Sequence, residues 1–383
     1  MAEVRIPFNR PYVVGEEFGF IQAAIREGQL SGDGAFTRLC NELIVKETGA
    51  SAALLTHSCT AALEMAALLC DIGPGDEVIM PSFTFVSMAN AVVLRGATPV
   101  FVDIDPVTLN IDPGKVAAAV TPRTRAIFVV HYAGFPADMD RLAEIAAAHD
   151  LFLVEDAAHA YGSSYKGRPV GSLGDLATFS FHETKNVTSG EGGALALRRA
   201  DLVARAEIIR EKGTNRTSFT RGEVDAYRWV DVGSSFLPGE LMAAFLYAQL
   251  RHAGSIRQKR LALFERYAEA FRDLEAAGRV GLPHASDDCA GNGHMFYLLM
   301  RDRADQDAFI AHMREAGIVT PFHYVPLHSS PAGRRFGRST GDLPVTNDTA
   351  ERLVRLPMFA ALDADIEVVI EAARASLRDR RAA

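Results

Sequence analysis

The chain has 383 residues, 48% of them hydrophobic and 23% charged, with a formal net charge of −8 at pH 7. That length predicts a large domain, 1–250, joined to a connecting helix and small domain, 251–383, and the composition excludes a disordered chain. The acidic balance leaves no broad basic field, so recognition of a nucleic-acid backbone is excluded as the main activity.

The stretch 1–9 carries Glu3 and Arg5 and has no long apolar run, and no later run approaches the roughly 18–20 residues that span a bilayer. A cytoplasmic location without membrane contact is therefore expected. Between Ser51 and Leu197, short β-rich runs alternate with helix-period segments, which predicts βαβ units in an α/β fold with a mostly parallel sheet. Strands are predicted at 52–56, 77–80, 99–103, 126–131, 151–155, 176–181 and 194–197. Ligands of such sheets gather beyond the carboxyl ends of the strands. The segment 238–277 reads as two helices. A strand over 295–300, a helix over 305–316 and a strand around 318–322 follow, and the Pro/Gly-rich stretch 331–342 reads as a loop. Cys40, Cys59, Cys70 and Cys289 form no C-x-x-C pair, which argues against structural disulfides and zinc sites.

Two predicted strand ends carry chemistry. One leads into Asp156-Ala157-Ala158-His159, the other into Ser180-Phe181-His182-Glu183-Thr184-Lys185 and then Gly190-Glu191-Gly192-Gly193. Only six of the 40 basic residues are lysines, so a lysine in a motif stands out. A Schiff-base lysine must be reachable and partly deprotonated, which fits Lys185. An aspartate beside a pyridine nitrogen keeps it protonated, so that the ring draws electrons from a carbanion, which fits Asp156. The plain alternatives are a solvated surface lysine and a helix N-cap. The glycines after Lys185 favour close approach to a ligand. Thr56-His57-Ser58-Cys59-Thr60-Ala61-Ala62 offers backbone donors to a phosphate at Cys59 and Thr60, or simply caps a helix. Phe85 can cover a flat heterocycle or pack in the core. His131 ends a buried strand and reads as structural. His182-Glu183 lacks the second histidine of H-E-x-x-H, so no metal is expected.

Ile6-Pro7-Phe8-Asn9-Arg10-Pro11, Ser58-Cys59-Thr60-Ala61-Ala62-Leu63-Glu64, Val129-Val130-His131-Tyr132-Ala133-Gly134, Val154-Glu155-Asp156-Ala157-Ala158-His159 and Ser180-Phe181-His182-Glu183-Thr184-Lys185-Asn186 together resemble the DegT-type sugar aminotransferases, over nearly the whole chain. The resemblance implies a fold-type I enzyme of pyridoxal 5′-phosphate (PLP). It implies Lys185 as the Schiff base, Asp156 on the pyridine nitrogen, His159 near the phenolic oxygen and Phe85 on the ring. Cys59, Thr60 and Ser180 would hold the phosphate. It also implies a homodimer with shared active sites, in which a partner residue completes the phosphate site. Many relatives use Asn there, whereas this chain has Ser235, which donates only one hydroxyl hydrogen. Tyr324 and His328 correspond to positions facing the sugar, although two histidines five apart in a loop, His323 and His328 with Pro326 between, also read as surface residues or a local hydrogen-bond network.

The stretches 210–216 and 322–328 resemble the branch that makes TDP-4-amino-4,6-dideoxyhexoses. This implies transfer of an amino group from glutamate to TDP-4-keto-6-deoxy-D-glucose, with the pyridoxamine phosphate (PMP) form serving the second half reaction. Sugar dehydratases on the same scaffold carry His in place of the lysine, so Lys185 favours transamination. A non-catalytic cofactor-binding regulator would need a DNA-binding or partner module, and none is legible. The galacto or gluco configuration of the product stays open.

Overall fold

The computed structural model describes residues 4–378, so Glu3 and the outer ends of the two expected domains, 1–3 and 379–383, lie outside the described residues. Seven strands form the body of one sheet: β1 (Ala52–Thr56), β2 (Glu77–Pro81), β3 (Thr98–Val102), β4 (Thr124–Val130), β5 (Phe152–Asp156), β6 (Leu176–Ser180) and β7 (Gly193–Leu197). Each falls within two residues of its predicted span. Their order across the sheet is β1-β7-β6-β5-β4-β2-β3. Neighbours from β6 through β3 pair in parallel, while β7 runs antiparallel to both β1 and β6. A parallel return needs a long crossover, usually a helix. The segment 181–192 forms none, so the chain doubles back and suspends Lys185 in the connecting loop.

The strands are apolar without alternation because helices cover both faces. β2, β6 and β7 are buried at every position. Successive side chains still leave on opposite sides. Leu55, Leu153 and Phe179 pack with the helices Ala35–Thr48 and Glu240–Arg251, whereas Leu54, Val154 and Leu195 pack with Cys59–Leu69 and Val86–Val93.

A second core lies toward the C-terminus. The helix Ala253–Ala276 presents Leu263, Tyr267, Phe271 and Leu274 at helical spacing to Phe296, Leu298, Phe309, Val354 and Ile366. The predicted strand over 295–300 is Tyr297–Leu299, paired antiparallel with Leu353–Arg355, and the predicted helix is Arg303–Glu315. Ile6 pairs with Ile318 and belongs to this second core, so the N-terminal segment packs with the smaller part of the molecule.

Two expectations change. No continuous strand forms over 318–322, where only isolated bridges at Ile318 and Phe322 occur, because Pro321 has no amide to donate to a ladder. Nor is 331–342 merely a loop. Ser330 caps the helix Pro331–Phe336 by accepting from the Gly333 amide, proline opens the helix where its missing N–H costs nothing, and Arg338–Ser339 pairs in parallel with β3 at the sheet edge.

Candidate active site

Strand register places the chemistry. Val130 is paired with Asp156, Asp156 with Thr178, Ser180 with Gly193, and Gly193 with Thr56. The carboxyl ends of β1, β4, β5 and β6 therefore share one edge with the start of β7, and the residues just beyond those ends converge. A cleft of about 670 Å³ opens there. Among its lining residues are Cys59, Thr60, Phe85, Asp156, His159, Ser180, Lys185 and Tyr324.

Burial holds the Lys185 amine down to about 8, against the pull of Cys59 and Asp156. The same burial pushes the Asp156 carboxyl up, opposed by the Ala158 amide, which donates to Oδ1 at 3.1 Å, and by the charge of Lys185. Next to Asp156, Glu155 and His131 form a fully buried pair, Oε2 to Nε2, at 3.0 Å. His131 Nδ1 accepts the Ala137 amide at 3.2 Å, which leaves the ring proton on Nε2, facing Glu155. Glu155 also accepts the amides of Gly171, Leu173 and Gly174. His131 thus braces the ends of β4 and β5.

The helix Cys59–Leu69 starts at Ser58, whose Oγ accepts the Ala61 amide at 3.1 Å, and its first backbone bond runs from Ala62 to Ser58. The amides of Cys59 and Thr60 precede that bond and are left over at a helix N-terminus, where the peptide dipoles favour an anion. Capping and anion binding therefore coexist. Gly193 permits this approach, because a Cβ there would sit 2.4 Å from the Cys59 nitrogen. Phe85 is 58% exposed at the start of the helix Val86–Val93, so it is not a core residue.

His159 stacks on His294 with ring centroids 4.4 Å apart and planes at 21°. Burial, followed by the charges of Lys185 and Arg355, holds His159 well below the usual histidine range and hence neutral. Its Nε2 lies 3.4 Å from the Tyr324 hydroxyl, while its Nδ1 is buried without a partner. Thr84 Oγ1 and Arg355 Nε, from two other lining residues, are likewise buried and unpaired. Unpaired polar groups around the walls, free amides at one end and an exposed aromatic face fit a flat, phosphorylated heterocycle such as PLP.

Two predicted residues lie elsewhere. Ser235 is exposed, bridges Glu211 through the backbone and does not line this chain's cleft. His328 does not line it either: Nδ1 is 2.7 Å from Ser82 Oγ, which also accepts the His328 amide at 3.0 Å. This is the local network. Sequence reading missed Thr84, His294, His323 and Arg355, all in the lining. His323 lay inside a quoted motif and Thr84 directly precedes Phe85, but His294 and Arg355 had no local signal beyond a polar residue beside an apolar strand.

Residues 11–374 match the DegT/DnrJ/EryC1/StrS aminotransferase family. The spore coat polysaccharide biosynthesis protein SpsC of Bacillus subtilis (strain 168) is 35% identical over 381 residues, 96% of each chain. Aminotransferase TlmJ from Streptoalloteichus hindustanus superposes with a TM-score of 0.89 at 31% identity, over 98% of this chain and 99% of that one. Spr1654 from Streptococcus pneumoniae in its PMP form gives 0.91 at 27% identity, over 98% and 100%, and is also solved in a PLP form. The mostly parallel sheet among helices is thus that of a fold-type I enzyme, and the cofactor is PLP. The chain belongs to the DegT/DnrJ/EryC1/StrS aminotransferase family, as a PLP-dependent sugar aminotransferase.

Proposed function

We propose that this enzyme moves the amino group of glutamate to C4 of TDP-4-keto-6-deoxy-D-glucose, giving a TDP-4-amino-4,6-dideoxyhexose of galacto or gluco configuration. The observation that carries the reading is an amine held near 8, Lys185, in one cleft with the buried acid Asp156. Similarity of 210–216 and 322–328 to the branch that makes these sugars supports the substrate, and Tyr324 from the second stretch lines the cleft. In this reading Tyr324 and His328 serve the sugar, the first directly and the second by holding the loop that follows Tyr324.

PLP, when bound, supplies an electron sink for the carbanion left at the carbon that loses a proton. Lys185 holds it through the amine. Cys59, Thr60 and Ser180 would take the phosphate, Phe85 would cover the ring, His159 would face the phenolic oxygen, and Asp156 would keep the pyridine nitrogen protonated. Once released, the Lys185 amine accepts and returns a proton at nearly equal cost near neutral pH, the condition for an efficient general base and acid. The neutral His159 adds no positive charge that would raise the barrier to protonating that amine.

The proposed assembly is a homodimer in which Ser235 serves the partner's phosphate site, supported by its exposure and its absence from its own cleft. The cofactor domain is taken as 1–250 and the smaller domain as 251–383. No helix among the described residues is long and apolar enough to cross a membrane, and a cytoplasmic location is proposed.

Product NMR after incubation with TDP-4-keto-6-deoxyglucose and glutamate tests the reaction. A nitrogen-bearing C4 and an equivalent of 2-oxoglutarate are expected. Recovery of unchanged keto sugar would reject the substrate assignment, and a cofactor absorbance unmoved by glutamate would point to a binding protein instead.

A further inference from the structure

We infer that His294 is a positioning residue: through Asn186, the residue after Lys185, it fixes where the reacting amine stands in the cleft. The inference rests on the reading of Lys185 as that amine and not on the choice of sugar.

The hydrogen bonds determine the tautomer of His294. Asn186 is buried, and its Nδ2 donates to the Asn292 carbonyl at 3.0 Å. Its Oδ1 therefore faces His294 Nδ1, 3.0 Å away. An amide oxygen only accepts, so Nδ1 carries the ring proton. Burial, followed by the charges of His159, Lys185, Arg260 and His323, holds His294 well below the usual histidine range. The ring is neutral and its one proton is given to Asn186. It has none to offer the reaction, and what it supplies is placement.

His294 can anchor Asn186 because it is itself held on several sides. Its ring stacks on His159, its amide donates to Asn292 Oδ1 at 3.0 Å, and its carbonyl accepts from Arg260 Nη2 at 2.6 Å. Arg260, from the helix Ala253–Ala276, also donates through Nε to the Gly293 carbonyl at 3.0 Å. Asn292 Nδ2 donates to the carbonyls of His159 and Tyr161 at 2.8 and 3.0 Å. The segment Asn292-Gly293-His294 thus grips two loops at once, the one that follows Asp156 and the one that carries Lys185. Gly134 leaves room for it, since a Cβ there would lie 2.2 Å from Asn292 Oδ1. The Lys185 loop is neither helix nor strand, so no backbone ladder sets its place and side-chain bonds must. Place decides both the reach of the amine and its contact with water, and burial is what holds it down to about 8.

Four variants test this. His294→Phe keeps a flat ring on His159 and loses the Nδ1 donor. His294→Asn carries an amide nitrogen close to where Nδ1 stands. Asn186→Ala removes the same bond from the other side, and the fourth variant combines His294→Phe with Asn186→Ala. Single-turnover conversion of the holoenzyme by glutamate is read beside the pH dependence of PLP capture by the apoprotein. His294→Phe and Asn186→Ala should each slow conversion about 10- to 100-fold, the cost of a misplacement on the scale of about 1 Å. Each should also move the capture midpoint up by about half a pH unit or more, as water reaches the amine. The charges that face Lys185, those of Cys59, Asp156 and Arg355, are unchanged in all four variants. The combined variant should be within about threefold of the slower single one, because the two changes remove a shared bond. His294→Asn should convert about 3- to 10-fold faster than His294→Phe, the range of one regained hydrogen bond.

Wild-type conversion and midpoint in His294→Phe would overturn the inference. So would slower conversion with the midpoint unmoved, which a loss of stability alone would give, and so would His294→Asn as slow as His294→Phe or losses that multiply in the combined variant. Should His294→Phe fail to fold, Asn186→Ala carries the same two readings. A Lys185→Ala enzyme that still converts would sink the reading of the amine; an inert Lys185→Ala beside unaffected His294 and Asn186 variants would sink only this inference.

Discussion

Asp156 and Lys185 reach the same cleft from adjacent parallel strands, β5 and β6, and burial drives both toward their neutral forms: the carboxyl is pushed up and the amine is held down to about 8. Each charge opposes part of the other's shift, because a cation favours a nearby carboxylate and a carboxylate a nearby ammonium. Removing either residue therefore changes the other's protonation as well as its own chemistry.

Lys185→Ala should abolish turnover and the absorbance of covalently held cofactor. Loss of a covalent catalyst should leave less than about a hundredth of wild-type turnover. A variant that keeps more would show that another group carries the reaction.

Asp156→Ala should separate binding from chemistry. With the phosphate contacts at Cys59, Thr60 and Ser180 intact, cofactor still binds, while turnover falls on the order of 10²-fold or more for want of a protonated pyridine. Equilibrium dialysis of cofactor beside single-turnover rates reads both. Lost binding with an intact fold would make Asp156 an anchor.

The amine of Lys185 sets a pH dependence in the cofactor-free protein. Its value falls from the ordinary 10.5 to about 8 on folding, so between those values the unfolded chain binds more protons, and stability rises with pH. Below about 8 both states are protonated and the penalty is constant. Lys185→Met removes the penalty at every pH. The variant's advantage in thermal midpoint should thus hold steady below pH 8 and shrink from 8 toward 10.5. Incorporation of PLP into the wild-type apoprotein should speed up with a midpoint near pH 8, since the neutral amine is the nucleophile.

Tyr324 and His328 should differ in kind. Tyr324→Phe removes a hydroxyl from the cleft and should lower kcat/KM for the sugar about 2- to 10-fold, with the glutamate half reaction preserved. His328→Ala removes the side-chain hydrogen bond between Nδ1 and Ser82, keeps the one donated by the backbone amide, and should cost about 0.5–1.5 kcal/mol of stability, seen in denaturant unfolding. A larger sugar effect from His328→Ala at unchanged stability would return that residue to direct contact.

Shared sites are tested by mixing Lys185→Ala with Ser235→Asp chains, the latter placing an anion beside the partner's phosphate. In a mixed dimer one site collects both lesions and the other none. Random pairing makes about half the dimers mixed, so roughly a quarter of wild-type activity should return. No recovery would mean that Ser235 serves its own chain.

Much of this protein is written locally. The seven strands are legible because runs such as Val78-Ile79-Met80 and Leu195-Ala196-Leu197 are apolar without alternation, the pattern that burial on both faces demands. Lys185, Asp156, Cys59 and Thr60 are legible because glycine, hydroxyl and acid types cluster beyond those strands. Which ends meet is another matter. Thr56 meets Gly193, and through it Ser180, only because β7 inserts antiparallel between β1 and β6, and the pairing of β7 with β1 is made over more than a hundred residues of chain. The same holds for Arg355. Nothing in Leu353-Val354-Arg355-Leu356 distinguishes it from the paired Arg352. The strand's antiparallel pairing opposite Tyr297 and its packing against Phe8 put one guanidinium in the cleft with no counter-ion among the described residues, because charge compensation is set by what lies nearby in space, and sequence patterns record only what lies nearby along the chain.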